Sequence, residues 1–360
     1  MPLKKKILFV LPSLGAGGAE RVLSFVCQQL DPNAFEVKLI VLGFKKEAVY
    51  NVDTIPVIYL NKPRLLLGIV TLFKVILKEK PAIVVSSIVH LNLMMGCFSL
   101  FLSKTKFIGR EASVVSKMNE FSKFNSTLST LLMKVFYPKL SAIICQSDDM
   151  RDDFIQTLKL NPSKLILIHN PITFLPTFER EKKMNSKLNF VTVGRLSPEK
   201  GYLRIIDGLS KIDQYDFHYT IIGSGPQEEL IREKLEKYKL TAKVTFIPFT
   251  SKVLEEVNRS DYFIQGSYVE GFPNAVLESC IVGTPVIAFD APGGTKDIVT
   301  QGLNGFLAEN EAEFASILTN IDQLKLIKSD SVKQSVISKF NSDAIIKQYV
   351  ALFNNVLSSK

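Results

Sequence analysis

Two carboxylates, Glu270 and Glu278, stand eight positions apart with Gly271-Phe272-Pro273-Asn274 between them. An apolar run, Tyr262-Phe263-Ile264, leads into this stretch, and a helical pattern through Ala275, Val276, Leu277, Cys280 and Ile281 leads out of it. Strand, loop and helix start in that order put unpaired backbone N–H groups and the positive end of a helix dipole at the loop. Such a place holds a phosphate without a dedicated side chain. Glu278, one turn into the helix, is placed to accept hydrogen bonds from a sugar diol, and Glu270 at the loop mouth is placed to face a second sugar. An anion cradle between two acceptors is the inventory of a nucleotide-sugar site. Two glutamates around a helix start also suit a solvated cap and a surface charge, so the rest of the chain has to decide.

A second loop, Gly194-Arg195-Leu196-Ser197-Pro198-Glu199-Lys200-Gly201, follows another strand pattern and offers two cations five positions apart. A guanidinium grips phosphate oxygens as a fork and an ammonium adds a point charge, so Arg195 and Lys200 together suit a diphosphate leaving group. Gly223-Ser224-Gly225-Pro226 ends a further strand, where a base could lie against the backbone or the chain could merely turn. Ala291-Pro292-Gly293-Gly294-Thr295 repeats the strand-to-helix step. Near the start, Gly15-Ala16-Gly17-Gly18-Ala19-Glu20-Arg21 does the same, with glycines permitting close backbone approach. This last motif is not GxGxxG, and no acidic residue ends the following strand as a ribose hook, which argues against a dinucleotide.

These loops need strands and helices to hold them, and the chain alternates the two. The first half reads Ile7–Leu11, Ala19–Leu30, Val37–Leu42, Leu65–Leu77, Ala82–Ser86, Phe107–Gly109, Ala142–Cys145, Asp149–Leu158 and Leu165–His169. The pattern restarts at Phe190–Val193 and runs through Tyr202–Ser210, Phe217–Ile222, Gln227–Tyr238, Val244–Phe246, Val253–Val257, Tyr262–Ile264, Ala275–Val282, Pro285–Ala288 and Lys296–Val299. Alternation of this kind predicts doubly wound parallel sheets. At 360 residues the chain exceeds what one core usually serves, so two α/β domains are expected. Residues 1–172 form the first, polar residues 173–187 a linker, and residues 188–340 the second. A last helix follows over Asn341–Leu357, with apolar residues at Ile345, Ile346, Tyr349, Val350, Phe353 and Val356. Two such domains would face a cleft at the carboxyl ends of their strands.

In this setting the motifs resemble glycosyltransferase family 4, retaining enzymes of the GT-B architecture that use nucleotide-sugar donors. The likeness spans nearly the whole chain: the Gly17-Gly18-Ala19-Glu20 loop, the Gly194–Gly201 loop and the Glu270–Glu278 stretch occur in the family's order. It implies two Rossmann-like doubly wound domains, with nucleotide sugar on the C-terminal one and acceptor on the N-terminal one. The final helix, 341–360, is expected to cross back onto the first. It implies that Arg195 and Lys200 bind the donor diphosphate and that Glu270 faces the transferred sugar. Phe272, Pro273 and Asn274, with Gly271, line the donor, and Glu278 holds the ribose; Gly17, Gly18, Gly194, Gly223 and Gly225 complete the donor-binding set. Two positions depart from the family. Where a histidine commonly follows the strand near residue 108, this chain has Arg110 and Glu111, so one of these, or His90 after the preceding strand, would contact the sugar or acceptor. Asp297 stands where Glu is commoner.

The chemistry that follows is a transfer in which Arg195, Lys200 and the helix start stabilise the departing nucleotide electrostatically. With three scattered His and no Asp-x-Asp, no cofactor and no metal are expected, the nucleotide sugar being a substrate, with UDP favoured over GDP. Retention through a front-face displacement needs no enzymic nucleophile, and none is evident. The fold also suits a sugar-nucleotide 2-epimerase, which would need acid and base groups at the sugar. The pI of about 9.2 raises nucleic-acid binding, but the aromatic residues lie in apolar runs rather than between basic ones.

The net charge of +9 is lopsided. Residues 1–180 hold 23 Lys and Arg against 13 Asp and Glu, a net of +10, and the remainder hold 21 against 22, a net of −1. Within the basic half, Leu65–Leu77 is apolar almost all round and flanked by Lys62, Arg64, Lys78 and Lys80. Leu91–Leu102 is similarly apolar, and Lys117–Lys139 mixes lysines with Met118, Phe121, Phe124, Leu128, Leu131, Leu132, Val135 and Phe136. Such patterns belong either to helices packed on a sheet or to interfacial helices. With the charge they predict attachment to an anionic membrane face on the cytoplasmic side, where a lipid-linked glycan acceptor would enter. No signal peptide and no membrane-spanning run are expected, and Cys27, Cys97, Cys145 and Cys280 read as reduced cysteines of a cytosolic protein.

Overall fold

The computed structural model describes residues 4–121, 126–177, 187–212, 215–320, 324 and 326–359. The chain divides into two units, Met1–Thr173 with Ser342–Lys360, and Phe174–Asn341. Of the expected linker, residues 178–186 lie outside the described ones.

The first unit is built on strands β1 (Lys5–Leu11), β2 (Phe35–Val41), β3 (Val57–Tyr59), β4 (Ile83–Ser87), β5 (Lys106–Arg110), β6 (Ala142–Cys145) and β7 (Leu165–Leu167). They form one sheet in the order β3-β2-β1-β4-β5-β6-β7, with every neighbour parallel. A parallel sheet is covered on both faces, which is why the last five residues of β1, Ile7–Leu11, are all apolar and all buried. Helices α1 (Gly18–Gln28), α2 (Leu65–Glu79), α3 (Val89–Phe98), α4 (Val115–Met118), α5 (Ser126–Phe136) and α6 (Asp148–Leu158) connect the strands. The start of α6 follows from Ser147, whose side chain accepts the Met150 N–H at 3.3 Å, with Asp148 and Asp149 favourable to the dipole in the first turn.

The second unit carries β8 (Leu188–Val193), α7 (Tyr202–Leu209), β9 (Phe217–Ile222), α8 (Glu228–Lys237), β10 (Val244–Ile247), α9 (Val253–Arg259), β11 (Tyr262–Gln265), α10 (Asn274–Ile281), β12 (Val286–Phe289), α11 (Thr295–Ile298), β13 (Gly305–Ala308), α12 (Glu311–Thr319) and α13 (Ser329–Ile337). Its parallel sheet runs β10-β9-β8-β11-β12-β13. Strands β3 and β13 and helices α12 and α13 were not among the elements expected from the sequence. The two strands are three and four residues long, too short for a period to show.

The last helix, α14 (Ser342–Ser358), belongs to the first unit. Its stripe Ile345, Tyr349, Leu352, Phe353 and Val356 enters the core formed by β1, β2 and α1. Phe353 meets Phe9 and Phe35 edge-on at 6.4 and 6.2 Å, and burying each such side chain stabilises the unit by about 1.5–3 kcal/mol.

Helices α2 and α5 behave differently. One stripe of α2, Gly68, Leu72 and Ile76, is buried, while Leu66, Leu67, Val70 and Leu77 are exposed. Helix α3 lies between α2 and α5, with Phe73 edge-on to Phe98 at 5.0 Å. Leu100 and Phe101 after α3, and Leu128, Leu131, Leu132 and Val135 on α5, extend the exposed apolar set. Phe124, counted in the sequence pattern, lies outside the described residues. No helix among the described residues is long and apolar enough to cross a membrane.

Candidate functional site

In a doubly wound sheet, the loops after the two strands where the order reverses leave a crevice at the carboxyl edge. In the second unit these strands are β8 and β11, which pair directly. The sequence motifs of residues 194–201 and 266–273 therefore emerge side by side. Gly201 is left-handed (φ 61°), and a Cβ there would run into the Gly266 carbonyl, so the two loops touch backbone to backbone. The Tyr268 N–H donates to the Glu199 carbonyl at 2.8 Å, the Glu270 N–H to Pro292 at 3.0 Å, and the Gly294 N–H to Gly271 at 2.9 Å. Gly223 and Gly225, ending β9, pack on the carbonyls of Gly194 and Leu196. This contact between loops needs glycine there whether or not a base lies upon it.

At the meeting of the two loops Lys200 Nζ lies 2.6 Å from Glu270 Oε1. Gln265 Nε2 and the Ser267 hydroxyl donate to the same oxygen at 2.9 and 2.6 Å. Among the described residues no hydrogen bond falls on Oε2. Glu270 is buried and Lys200 half-buried, whereas Arg195 is exposed. A carboxylate with one oxygen fixed by three donors, one of them a cation, is oriented before any ligand arrives. Gln265 and Ser267 were missed in the sequence; their only signal is that they interrupt the apolar run just before Glu270. Pro273 occupies the N-cap of α10 without a side-chain cap, and Glu278 is half-buried one turn on. The Phe272 ring turns inward, edge-on to Phe340 at 5.2 Å.

The corresponding strands of the first unit are β1 and β4. After β1 the Gly17 N–H turns back to the Gly15 carbonyl at 2.7 Å, and the Glu20 carboxylate lies against Gly17 where a Cβ would be. An acidic group there repels phosphate and suits a hydroxyl donor. After β4, Ile88 adopts φ 70° and ψ 150°, a conformation costing a β-branched residue on the order of 1–3 kcal/mol. It brings His90 into the first turn of α3 with its side chain exposed.

Arg110 ends β5, one strand away, and Glu111 follows it; both are only 1% exposed. The sequence offered them as sugar or acceptor contacts; here both side chains lie buried in the first unit. Arg110 Nη2 donates to Asn170 Oδ1 at 2.6 Å, and burial pushes its pKa down. Glu111 Oε1 accepts from the Tyr137 hydroxyl and Asn92 Nδ2, and its carbonyl accepts from Gln146. The Ser86 hydroxyl donates to Asn92 Oδ1 at 2.7 Å. Burial raises the Glu111 carboxyl to about 7 against the opposing pull of these donors.

All four cysteines are free, and no group of three or more His, Cys, Asp or Glu able to hold a metal is found among the described residues.

Known proteins match both units. The family described as Glycosyltransferase Family 4 matches residues 16–173, and Glycosyl transferases group 1 matches residues 176–335. The chain is 25% identical, over 90% of its length and 92% of the relative's, to an N-acetylgalactosamine-N,N'-diacetylbacillosaminyl-diphospho-undecaprenol 4-alpha-N-acetylgalactosaminyltransferase of Campylobacter jejuni. It is 26% identical, over 76% of its length and 75% of the relative's, to a UDP-Gal:alpha-D-GlcNAc-diphosphoundecaprenol alpha-1,3-galactosyltransferase of Escherichia coli. Among solved structures, the Anabaena protein HepE in complex with UDP and glucose superposes with a TM-score of 0.79 at 19% identity, covering 98% of this chain and 100% of that one.

Proposed function

The chain belongs to glycosyltransferase family 4, with the two parallel Rossmann-like sheets of the GT-B class, and from that footing we propose a retaining hexosyl transfer from a UDP-sugar to a lipid-linked glycan in surface polysaccharide synthesis. The observation that carries the donor side is the Lys200–Glu270 pair at the switch point of the second sheet. A donor diphosphate placed between Arg195, Lys200 and the start of α10 meets positive charge where its own negative charge grows as the sugar departs. Glu270, oriented through Oε1, offers Oε2 to hydroxyls of the transferred sugar, and Glu278 offers its carboxylate to the ribose. Gly17 and Gly18, read from the sequence as donor-binding, lie beside the Glu20 carboxylate, which repels phosphate, and are assigned here with the exposed His90 to the acceptor side. The acceptor attacks the face from which the diphosphate leaves, and its proton passes to the departing phosphate oxygen. The C–O bond to phosphate breaks as the glycosidic bond forms, with no step through a metal.

The choice of UDP and of a lipid-linked acceptor is supported by the activities for which the Campylobacter and E. coli relatives are named and by the UDP held in the Anabaena structure. Peripheral attachment to an anionic membrane is supported by the exposed apolar residues of α2 and α5 on a half-chain of net charge +10.

The test is transfer from UDP-hexoses and UDP-N-acetylhexosamines to undecaprenyl-diphosphate-linked sugars, with the product read by NMR. Release of UDP and an anomeric configuration equal to the donor's are expected. An inverted product overturns retention, and conversion of the donor to its 2-epimer without UDP release overturns transfer.

A further inference from the structure

Arg204, the third residue of α7, points back at the corner from which Glu270 is presented. Its Nε donates to the Gly266 carbonyl at 2.7 Å and its Nη2 to the Ser267 carbonyl. The guanidinium lies over the Tyr268 ring, 3.9 Å from its centroid, and over the Phe289 ring at 3.6 Å. Only 11% of the side chain is exposed, and the nearest carboxylate is that of the exposed Glu311, at 4.0 Å. Burial pushes the Arg204 pKa down to about 10, which still leaves it charged at neutral pH.

Placing a cation among two rings and two carbonyls, with Glu311 its one acidic neighbour among the described residues and at the limit of contact, is a costly way to pack a helix. What it secures is local. The two carbonyls belong to consecutive residues, and the second of those residues is the one whose hydroxyl donates to Glu270 Oε1. A planar fork can hold two successive carbonyls while its faces stack on rings; an ammonium cannot do both. Lys200, the cation on Glu270, sits four residues before Arg204, and the Gly201 turn between them touches Gly266.

We propose that Arg204 is a positioning residue for the transfer: it sets the Gly266–Ser267 corner so that Ser267 and Lys200 converge on Glu270. This rests on the reading of Glu270 as a donor-sugar contact. A loop tilted by a fraction of an ångström would still bind nucleotide through Arg195 and the start of α10, but would misalign the sugar.

The variant R204K keeps the charge and removes the fork. UDP release is followed with whichever of UDP-glucose, UDP-galactose and their N-acetylamino analogues the wild type turns over, and UDP affinity is measured by calorimetry. A fall in kcat of about tenfold or more is expected, with UDP affinity changed less than about threefold. In an E270Q background, R204K is expected to lower the residual rate less than about twofold, because the two act through one contact. Equal proportional losses of UDP affinity and rate, or losses that multiply across the two variants, would overturn the proposal. Hydrogen exchange reads the same idea without activity: R204K should speed exchange of the Tyr268 and Glu270 amides, and unchanged exchange refutes it even if no UDP-sugar is a substrate. Should R204K fail to fold, Y268A removes one stacked ring at an exposed position and is expected to shift kcat and those amides the same way, to a smaller degree; no shift refutes the proposal.

Discussion

At the carboxyl edge of the second sheet, charge is kept within reach of a ligand. Arg195 is exposed, Lys200 half-buried, and Glu270, though buried, has one oxygen committed to three donors and none on the other among the described residues. At the same edge of the first sheet, Arg110 and Glu111 sink below the surface and spend their hydrogen bonds on Asn92, Tyr137 and Asn170. Both pairs follow parallel strands of doubly wound sheets, so strand-end position alone does not separate them. The separation comes from which strand they follow. Loops after β8 and β11 flank the reversal in strand order, whereas β5 stands one strand away from the reversal in its sheet. Glu111 is satisfied within the protein by Tyr137 and Asn92, while Arg110 keeps Nε and Nη1 without a hydrogen-bond partner among the described residues.

The contrast breaks most easily at the second sheet. Lys200→Ala and Arg195→Ala are each expected to lower kcat/KM by about 10²–10³, the usual cost of removing one group from a preorganised charge site. Melting temperatures should stay within a few degrees, since neither side chain belongs to the core. Wild-type rates from both variants would put the two edges on the same footing and remove the donor assignment.

At the first sheet the expected effect is on stability. Glu111 has a folded pKa of about 7, above the ordinary value of 4.5, so the folded state binds the proton more tightly than the unfolded chain. Its contribution is therefore most favourable below pH 4.5 and is lost as pH rises toward 7, by on the order of 2–3 kcal/mol. Tyr137 and Asn92 donate to it, and Arg110 and Cys145 are the other ionisable groups whose fields reach it. Glu111→Gln should flatten this slope. Urea midpoints measured from pH 5 to 8 for both proteins check it, and parallel curves would mean that the buried carboxylate does not distinguish this edge.

The smallest effect concerns the flank of the first unit. Binding to vesicles containing anionic lipid should fall with added salt, each nearby Lys or Arg contributing on the order of 1 kcal/mol. Replacing Leu66, Leu67 and Val70 by Ser should weaken flotation several-fold further. Protein that stays in solution with anionic vesicles at low salt would leave the exposed apolar residues of α2 and α5 without this role.

Much of this architecture was written locally. Unbroken apolar runs such as Ile7–Leu11 announce strands buried on both faces, Ser147 before Asp148-Asp149 announces a helix start, and the spacing of Ile345, Tyr349, Phe353 and Val356 announces a helix with one apolar stripe, because each signal depends on neighbours a few residues away. The spacing of Arg195, Lys200, Glu270 and Glu278, with the family resemblance, likewise pointed to a nucleotide-sugar site from sequence alone. What tertiary structure decided is everything that depends on partners distant in the chain. That Lys200 and Glu270, seventy residues apart, share a salt bridge follows from β8 pairing with β11. That Arg204 holds the corner before Glu270 follows from the same pairing. Arg110 and Glu111 looked as available as His90 in the sequence, and only the packing of Asn92, Tyr137 and Asn170 around them shows them buried. Likewise α14 carries its stripe in its sequence, but that the stripe covers the sheet of the first unit is settled by the shape of the surface it fills, because apolar burial is not directional and only complementarity selects among the faces on offer.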